Sequence, residues 1–172
     1  MTERPILFSG PMVKAILEGR KTQTRRIVKP THVAAIHDGV PSLFNSFPYG
    51  KTGDRLWVRE AISRFAMGNV VAYKADYDGA NDIKWRPSIH MPRWASRITL
   101  EVVSVRVERL QDITRSDIRD EGILVPAEFA SDDKFRGYLL DQWIKLWESI
   151  NGPGSWEANP WVWVVGFKVI KP

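Results

Sequence analysis

Gly19-Arg20-Lys21-Thr22-Gln23-Thr24-Arg25-Arg26 is the most informative stretch of this 172-residue chain. It follows a segment that Gly10 and Pro11 begin and whose apolar positions recur with the helical period: Met12, Val13, Ile16 and Leu17. Gly19 ends that helix, because glycine readily adopts the left-handed conformation found at helix C-termini. The pattern therefore predicts that residues 20–30 form a loop presented at the end of a helix.

Lys21 and Thr24 lie three positions apart in this stretch and supply an amine and a hydroxyl. A deprotonated amine can act as the base for a hydroxyl nucleophile, which is the minimum that acyl transfer needs without a Ser-His-Asp triad. A lysine with its ordinary pKa of about 10.4 is protonated at neutral pH, so burial or neighbouring charge must lower that pKa. Three arginines are suitable neighbours: Arg20, Arg25 and Arg26. The alternative is a polar loop in which Lys21 is solvated and the threonines bond to nearby backbone.

Alternating apolar residues predict five strands elsewhere in the chain, at residues 6–9, 56–58, 70–75, 97–109 and 161–170. The strand at 97–109 changes phase near Val102 and Val103, which indicates a bulge or a strong bend such as a small barrel needs. No helical pattern links the central strands, which argues against a doubly wound parallel sheet. We predict one α+β domain over residues 1–172, built on a small mixed β-barrel with inserted helices and two long loops.

The helices and the two loops are predicted from capping and turn signals. Thr114 and Asp117 form a capping-box pattern, which predicts a short helix that runs through Glu121 and is ended by Gly122. Ser131 begins a longer helix, whose apolar stripe is Phe135, Tyr138, Leu139, Trp143, Leu146, Trp147 and Ile150. Residues 31–50 and 76–94 are rich in turn formers and are predicted to be long loops.

Composition restricts the chemistry that the chain can perform. Without cysteine there is no disulfide, thiol nucleophile or thiolate zinc site, and the three histidines lack metal-ligand spacing. We therefore expect no metal and no cofactor, so that any catalysis uses oxygen or nitrogen groups. No stretch approaches the roughly 18 apolar residues of a membrane helix, and the first residues have no apolar secretion core. We expect a cytoplasmic protein without a membrane partner.

The positive charge of the chain is concentrated in two segments. Residues 19–30 contain five Lys and Arg side chains, residues 83–100 contain four, and neither segment has an acidic residue. The formal net charge of +5 is therefore local. A local basic surface favours an anionic partner such as a nucleotide or a phosphate backbone, although two solvated loops are the alternative.

Further motifs follow the Lys21 stretch in a fixed order. They are Thr52-Gly53-Asp54-Arg55-Leu56-Trp57-Val58-Arg59-Glu60, the strand at 97–109 and the segment 110–122. Together with Gly-Arg-Lys-Thr-x-Thr-x-Arg, these motifs resemble the ASCH family, and more narrowly the longer ASCH proteins of bacteriophages and prophages. The resemblance covers nearly the whole chain and implies a PUA-like β-barrel. It also implies nucleic-acid-directed roles, which in that family are RNA binding and, in one branch, ribonuclease activity.

One small bacterial branch of the ASCH family is an amidohydrolase that removes the acetyl group from N4-acetylcytidine with a Lys, a Thr and a Glu. By motif these match Lys21, Thr24 and Glu121, the last at the family's spacing from Ile113-Thr114. The resemblance implies that Thr24 is the nucleophile, Lys21 its base and Glu121 the group that manages the leaving amine. A salt bridge between Glu121 and Lys21 would instead hold the lysine charged and oppose base catalysis. The chain could also be a non-catalytic module that binds RNA or single-stranded nucleic acid, a metal-independent ribonuclease or a phage assembly or interaction protein.

Six further side chains are candidates for contacts with the substrate: Arg20, Arg25, Arg26, Arg59, Arg93 and Trp94. Arginine suits phosphate and tryptophan suits base stacking, so the expected partner is a nucleoside, an RNA or another single-stranded nucleic acid. Arg59 has an alternative role in an internal ion pair with Glu60. The tryptophans in periodic segments are assigned to packing: Trp143, Trp147, Trp161 and Trp163.

Overall fold

The computed structural model describes residues 1–37, 47–64, 71–77, 83–126 and 134–170. The strands in these ranges are β1 (Glu3–Leu7), β2 (Gln23–Ile27), β3 (Arg55–Arg59), β4 (Ile62–Arg64), β5 (Val71–Tyr73), β6 (Thr99–Arg109) and β7 (Trp161–Ile170). The helices are α1 (Gly10–Leu17), α2 (Pro30–His37), α3 (Arg115–Asp120) and α4 (Lys134–Asn151). The fold is therefore α+β, as predicted.

Five strands form one sheet in the order β1-β3-β6-β7-β2, and β4 and β5 form a separate pair. β1 is parallel to β3, whereas the pairs β3–β6, β6–β7 and β7–β2 are antiparallel. β1 and β2 are the two edges of the sheet, and within the described ranges they do not pair with each other. The sheet is thus mixed, as predicted, but no closed barrel is found in the part of the chain that the structure describes.

A side chain links the two edge strands where backbone pairing does not. Arg26 of β2 donates from its guanidinium to the carbonyl oxygen of Leu7, at the end of β1, over 2.6 Å. The same guanidinium lies 5.3 Å from the centre of the Phe8 ring. Arg26, a predicted substrate contact, therefore holds the sheet edges near each other.

β2 lies inside the segment predicted to be a loop, so that prediction is wrong for residues 23–27. Its register pairs Gln23 with Gly166 and Arg25 with Val164. Both residues are buried, at 6% and 4% exposure. A search for alternating apolar residues misses a strand whose inward positions hold polar and charged groups.

The two predicted long loops contain more regular structure than expected. α2 occupies residues 30–37, and Pro30 suits its first turn because the N–H that proline lacks has no helical partner there. In the second loop, short 3-10 turns occur at Ser88–His90 and Arg93–Ala95. Residues 38–46 and 78–82, together with the predicted helix start at Ser131, lie outside the described residues.

The capping and bulge predictions are confirmed. The Thr114 side chain accepts from the backbone of Asp117, the Asp117 side chain accepts from the backbone of Thr114, and α3 ends at Asp120. β6 shifts register between Val102 and Ser104, where the sequence changes phase. These signals are local, so the sequence alone is sufficient to show them.

Apolar side chains pack on both faces of the sheet. On one face, Trp163 and Val165 of β7 pack with Ile6 and Leu56. On the other face, Val162 and Val164 of β7 pack with two tryptophans of α4, Trp143 and Trp147. This contact confirms the assignment of the two tryptophans to packing. The search for a helix long and apolar enough to cross a membrane, made over the described residues, found none.

Candidate functional site

Lys21 lies where the end of α1, the start of β2 and the end of α3 meet. Its backbone N–H donates to Ala15 of α1 at 3.0 Å, and Lys21 forms an isolated bridge with Glu121. The next residue, Thr22, donates to the carbonyl of Asp120 at 2.8 Å. The backbone thus brings Lys21 and Glu121 together, although 100 positions separate them.

The Lys21 ammonium group is buried and donates to three acceptors. Its Nζ lies 2.8 Å from Glu121 Oε2, 3.0 Å from the carbonyl of Glu121 and 2.8 Å from the carbonyl of Gln23. Burial lowers the pKa of Lys21, and the Glu121 carboxylate opposes this shift. Because an ammonium group has three protons, this geometry satisfies the charged lysine completely. The solvated-loop alternative for Lys21 is wrong, and the salt bridge is present.

Glu121 lies between two cations. Its second oxygen, Oε1, accepts from Arg25 at 3.1 Å, and the side chains of Lys21, Arg25 and Glu121 are all at most 2% exposed. Arg25 also pairs with Glu108 and, at 3.3 Å, with Asp117. Three carboxylates therefore surround the Arg25 guanidinium, and that of Glu121 is one of them.

Asp117 connects this ion-pair network to α3. Its Oδ1 accepts from Gln23 at 2.9 Å and from Arg106 at 2.7 Å, and its Oδ2 accepts from the hydroxyl of Thr114 at 2.6 Å. Burial raises the pKa of Asp117, but the hydrogen bonds from Thr114 and Gln23 and the charge of Arg25 outweigh it, so that the pKa lies well below 3.8. The carboxylate is therefore held charged.

We expect Asp117→Asn to reduce stability at pH 7 and to have a smaller effect at pH 3. A carboxylate with a lowered pKa in the folded state stabilises that state fully above its unfolded pKa, and the stabilisation is lost as the pH falls through the folded pKa. Urea unfolding of both proteins at pH 7, 5 and 3 measures the difference. Asp141→Asn is the control, since Asp141 pairs with Lys145 on the exposed face of α4. An equal loss for Asp117→Asn at all three pH values would contradict the low pKa.

Gly122 allows Glu121 to approach Lys21. Its φ is +92°, and a Cβ at this position would lie 2.9 Å from the Cβ of Ala15 and 3.0 Å from the Cβ of Lys21. Glycine accommodates both the left-handed backbone and the close approach of these side chains. The turn that sequence analysis assigned to ending a helix therefore also closes the site.

Gly122→Ala should lower the free energy of unfolding by more than about 1 kcal/mol, because the backbone conformation and the contacts both disfavour a side chain. Gly137→Ala in α4 is the matched control: a Cβ there meets nothing within 4 Å. The control should stabilise the protein by about 0.5–1 kcal/mol. Thermal or urea unfolding measures both variants, and similar values for the two would show that Gly122 is not constrained.

Thr24 is buried but lies on the opposite face of β2 from Arg25. Its register partner is Val165, whereas that of Arg25 is Val164, and Thr24 is 3% exposed. Within the described ranges its hydroxyl makes no hydrogen bond, and the three acceptors of the Lys21 ammonium do not include it. The structure thus brings Lys21 and Glu121 into direct contact, but it does not show the predicted base-nucleophile hydrogen bond.

Two neighbouring cavities share Glu121 as a wall. The larger, here called the cleft, has a volume of about 460 Å³, and its polar lining residues are Arg20, Glu121, Tyr138, Gln142 and Lys145. The smaller, here called the chamber, has a volume of about 50 Å³ and is lined in part by Thr24, Arg25, Arg26, Trp143 and Trp147. The residues common to both are Met12, Glu121 and Leu146.

Arg20 lies at the cleft and is already held by the protein. It donates to the carbonyl of Gly122 at 2.6 Å and pairs with Glu18. Its side chain is 30% exposed, so it can still face a ligand in the cleft. Arg20 and Arg26 are thus the predicted substrate contacts that border the two cavities without being enclosed by carboxylates.

The remaining predicted contacts lie on the β1–β3 side of the sheet. Arg93 pairs with Glu3 at 2.7 Å, and its guanidinium and that of Arg59 lie 5.8 and 4.7 Å from the centre of the Trp57 ring. Trp94 is 53% exposed and lies under the guanidinium of Arg64 at 5.0 Å. In the described structure none of these side chains contacts Lys21, Thr24 or Glu121.

Glu60 pairs with Arg97 and not with Arg59. Arg97 donates to both oxygens of Glu60, at 2.9 and 3.0 Å. Burial raises the pKa of Glu60, and Arg97 opposes this shift. The ion pair between Arg59 and its neighbour in sequence is not formed, and the Arg59 guanidinium lies over the Trp57 ring instead.

Sequence analysis missed several members of the ion-pair network: Gln23, Arg106, Glu108 and Asp117. The sequence identifies Asp117 only as a helix cap. The other three lie in strands, where a polar residue is expected to face solvent. A single sequence does not indicate that a polar residue beside an apolar one is buried.

No family model matches this chain, and no curated protein matches it. Three solved protein chains are similar to it, including the following two. An ASCH domain from Lactobacillus crispatus JV V101 has 12% sequence identity and a TM-score of 0.48, with 98% of this chain and 79% of that chain covered. Protein EF3133 from Enterococcus faecalis V583, described with the family name DUF984, has 9% identity and a TM-score of 0.48, with 99% and 80% covered. Similarities of this size transfer no residue role to this chain.

Proposed function

We propose that the cleft binds a pyrimidine nucleoside, free or as part of a single-stranded RNA, and that Glu121 contacts the base. The observation that carries this proposal is that Glu121, whose buried carboxylate is fixed by Lys21 and Arg25, is one of the residues that line a cavity of about 460 Å³. Small-molecule sites have volumes of roughly 300–1,000 Å³. A fixed carboxylate is a suitable acceptor for the exocyclic amine of cytosine.

The rest of the cleft suits such a ligand. Arg20 and Lys145 are cations at its wall, which favours phosphate or a nucleotide, and Tyr138 offers a ring for a base. Gln142 adds an amide that can both donate and accept. The resemblance of the sequence to the ASCH family favours the same class of ligand.

We expect cytidine to bind wild-type protein and to bind Glu121→Gln about tenfold more weakly, since a hydrogen bond to a charged group is worth about 1.5–3 kcal/mol. Isothermal titration calorimetry measures both affinities. Gln142→Leu, which leaves the ion-pair network intact, tests the cleft if Glu121→Gln folds poorly. Trp94→Ala, on the β1–β3 side, is the control and should bind cytidine normally. No cytidine binding by wild-type protein, or equal affinities in all variants, would exclude the cleft.

Amide hydrolysis of an N-acylated pyrimidine nucleoside is a second candidate. The observation that favours it is that Thr24 is a lining residue of the chamber, as Glu121 is, and that the Thr24 hydroxyl has no hydrogen-bond partner among the described residues. The burial that lowers the pKa of Lys21 acts in the direction a base requires. However, Lys21 must release one proton and reorient toward Thr24, because its three donors are engaged elsewhere. Binding of substrate at Glu121 would have to cause this change. Catalytic hydrogen bonds that are long or poorly aligned without substrate often form only in the complex with it.

Turnover of N4-acetylcytidine separates the two candidates. If the protein is an amidohydrolase, Thr24→Val should abolish release of acetate, whereas Thr24→Ser should retain part of the activity because it keeps the hydroxyl. Circular dichroism verifies that both variants fold. If wild-type protein binds cytidine but releases no acetate, the amidohydrolase is excluded and the binding function stands.

A further inference from the structure

Another cavity lies on the β1–β3 side of the sheet and shares no lining residue with the cleft or the chamber. It has a volume of about 590 Å³ and is here called the arginine pocket, because its lining includes Arg55, Arg93 and Arg97. Glu3 is the one acidic lining residue among the described parts of the chain. The volume is within the range of roughly 300–1,000 Å³ that small-molecule sites have.

Three strands place residues of the pocket on the same face of the sheet. Glu3 of β1 pairs in register with Arg55 of β3, and the next residue, Leu56, is buried in the core. Because successive residues of a strand point to opposite faces, Arg55 points away from that core, beside Glu3. Thr99 of β6 precedes the core residue Leu100 and therefore points the same way. Backbone pairing thus fixes one wall of the pocket.

Arg97 does not supply the charge that would attract a ligand. It donates to both oxygens of Glu60 at 2.9 and 3.0 Å, and to both oxygens of Asp76 at 2.7 and 2.9 Å. Arg59 offsets the extra negative charge, because it forms no ion pair among the described residues and lies over the same tryptophan ring as Arg93. Attraction for an anion must therefore come from the other two arginines of the pocket.

Glu3 occupies Arg93 as a carboxylate ligand would. Arg93 donates from Nε to one oxygen of Glu3 at 2.8 Å and from a terminal nitrogen to the other at 2.7 Å. The hydrogen bond from Arg93 lowers the pKa of Glu3, burial opposes this shift, and the charges of Arg93 and Arg55 add to it. The side chains of Arg93 and Glu3 are 45% and 37% exposed, and exposed ion pairs contribute little to stability. Arg93 therefore offers two donors to an oxyanion, and the pair that fills them is weak.

Arg55 has no counter-charge of its own. Within the described ranges its side chain forms no hydrogen bond and no ion pair, although its charge acts on Glu3. Glu101 lies opposite Arg55 in the register of β3 and β6, but its carboxylate pairs with Lys168 at 3.1 Å. One carboxylate, that of Glu3, therefore serves two guanidinium groups, and a single negative charge neutralises only one of them.

We propose that the arginine pocket binds a dianionic phosphate group between Arg55 and Arg93. The group is inorganic phosphate or the phosphomonoester end of a small molecule, and it displaces Glu3 from Arg93. A phosphomonoester carries nearly two negative charges at neutral pH, so it satisfies both guanidinium groups, and the Thr99 hydroxyl is a further donor. A phosphodiester carries one charge and would only exchange one monoanion for another, which disfavours the backbone of a nucleic acid. The site needs no ligand in the cleft, so it goes beyond the proposed function.

Nuclear magnetic resonance of the backbone amides tests the site in the full-length, 15N-labelled chain. The protein is titrated at pH 7 with sodium phosphate against sodium chloride of equal ionic strength. We expect saturable shifts of the amides of Arg55, Arg93 and Thr99 with phosphate alone. The amide of Arg106, in the ion-pair network, should not move. If these three amides do not shift, or if only that of Arg20 at the cleft does, the proposal is overturned.

Three phosphate compounds distinguish the sources of the group. Tighter binding of glycerol 3-phosphate assigns the site to an organic phosphomonoester, and tighter binding of inorganic phosphate assigns it to the free ion. Dimethyl phosphate, a monoanionic diester, should bind about tenfold more weakly than either. Equal affinity for dimethyl phosphate would overturn the proposal. Tighter binding of a single-stranded oligonucleotide without terminal phosphates would also overturn it, because the surface would then recognise a nucleic-acid backbone.

Arg55→Gln tests the cation that lacks a partner, and it should weaken phosphate binding about tenfold. Arg93→Gln is the second variant if Arg55→Gln folds poorly. Glu3→Gln should instead strengthen phosphate binding about two- to fivefold, because it removes the competing carboxylate of a weak exposed pair. Glu101→Gln is the matched control, since it removes a nearby negative charge that does not hold Arg93. Unchanged affinity in the arginine variant, or a gain in Glu3→Gln no larger than in Glu101→Gln, would overturn the proposal.

Discussion

Glu121→Ala is expected to lower the free energy of unfolding by about 3–5 kcal/mol, the usual cost of removing one partner of a buried ion pair. The carboxylate lies 2.8 Å from Lys21 and 3.1 Å from Arg25, and it is 2% exposed. Without it, Arg25 keeps two other carboxylates, whereas Lys21 keeps only the backbone carbonyls at Gln23 and residue 121. Most of the loss therefore arises from a buried ammonium group that no longer has a counter-charge.

Urea unfolding at pH 7 measures this loss, with an unchanged m-value as the criterion that the folded state is still compact. Glu101→Ala is the matched control. Glu101 pairs with Lys168 at 3.1 Å, but the two side chains are 35% and 61% exposed, so the control should lose less than about 1 kcal/mol. If Glu121→Ala also lost less than that, Lys21 would have to be solvated or neutral in the folded protein.

A double variant shows whether the ion pair is retained for stability. Lys21→Met combined with Glu121→Gln removes both charges, and replacing a buried pair by neutral groups is often neutral in stability. We expect it to be more stable than Glu121→Ala. If it folds normally but no longer binds cytidine, the pair is kept for the ligand, which supports the cleft.

The local parts of the fold could be predicted from the sequence because their signals lie within a few residues. Gly19 follows the end of α1, Thr114 caps α3, and the change of phase at Val102 is the bulge in β6. Each depends on backbone preferences or on side chains within the same element. Lys21, Thr24 and Glu121 could also be identified as candidates before any contact was known, because each lies in a short sequence motif.

Long-range and polar parts could not be predicted. Nothing in the sequence indicates that Lys21 and Glu121 pair across 100 positions, and β2 was missed because Gln23 and Arg25 occupy its buried positions. The partner of Glu60 proved to be Arg97, 37 positions away. Polar residues are mostly exposed in proteins, so a sequence gives no reason to bury them until their partners are placed.

Arg25→Met is the second substitution expected to have a large effect, again about 3–5 kcal/mol. Arg25 has a side chain that is 0% exposed, and it pairs with Glu108, Asp117 and Glu121. Methionine fills a similar volume but leaves the three carboxylates near each other.

Arg106→Met is the control for Arg25→Met, because Arg106 pairs with two of the same carboxylates but its side chain is 42% exposed. It should lose less than about 1 kcal/mol. Equal losses in the two variants would show that the number of ion pairs, and not burial, sets the stability of the network.

The comparison also bears on ligand binding. Arg25 was predicted to contact the substrate, yet it lies behind Glu121, so weaker RNA binding by Arg25→Met counts as a ligand effect only where the variant is still folded.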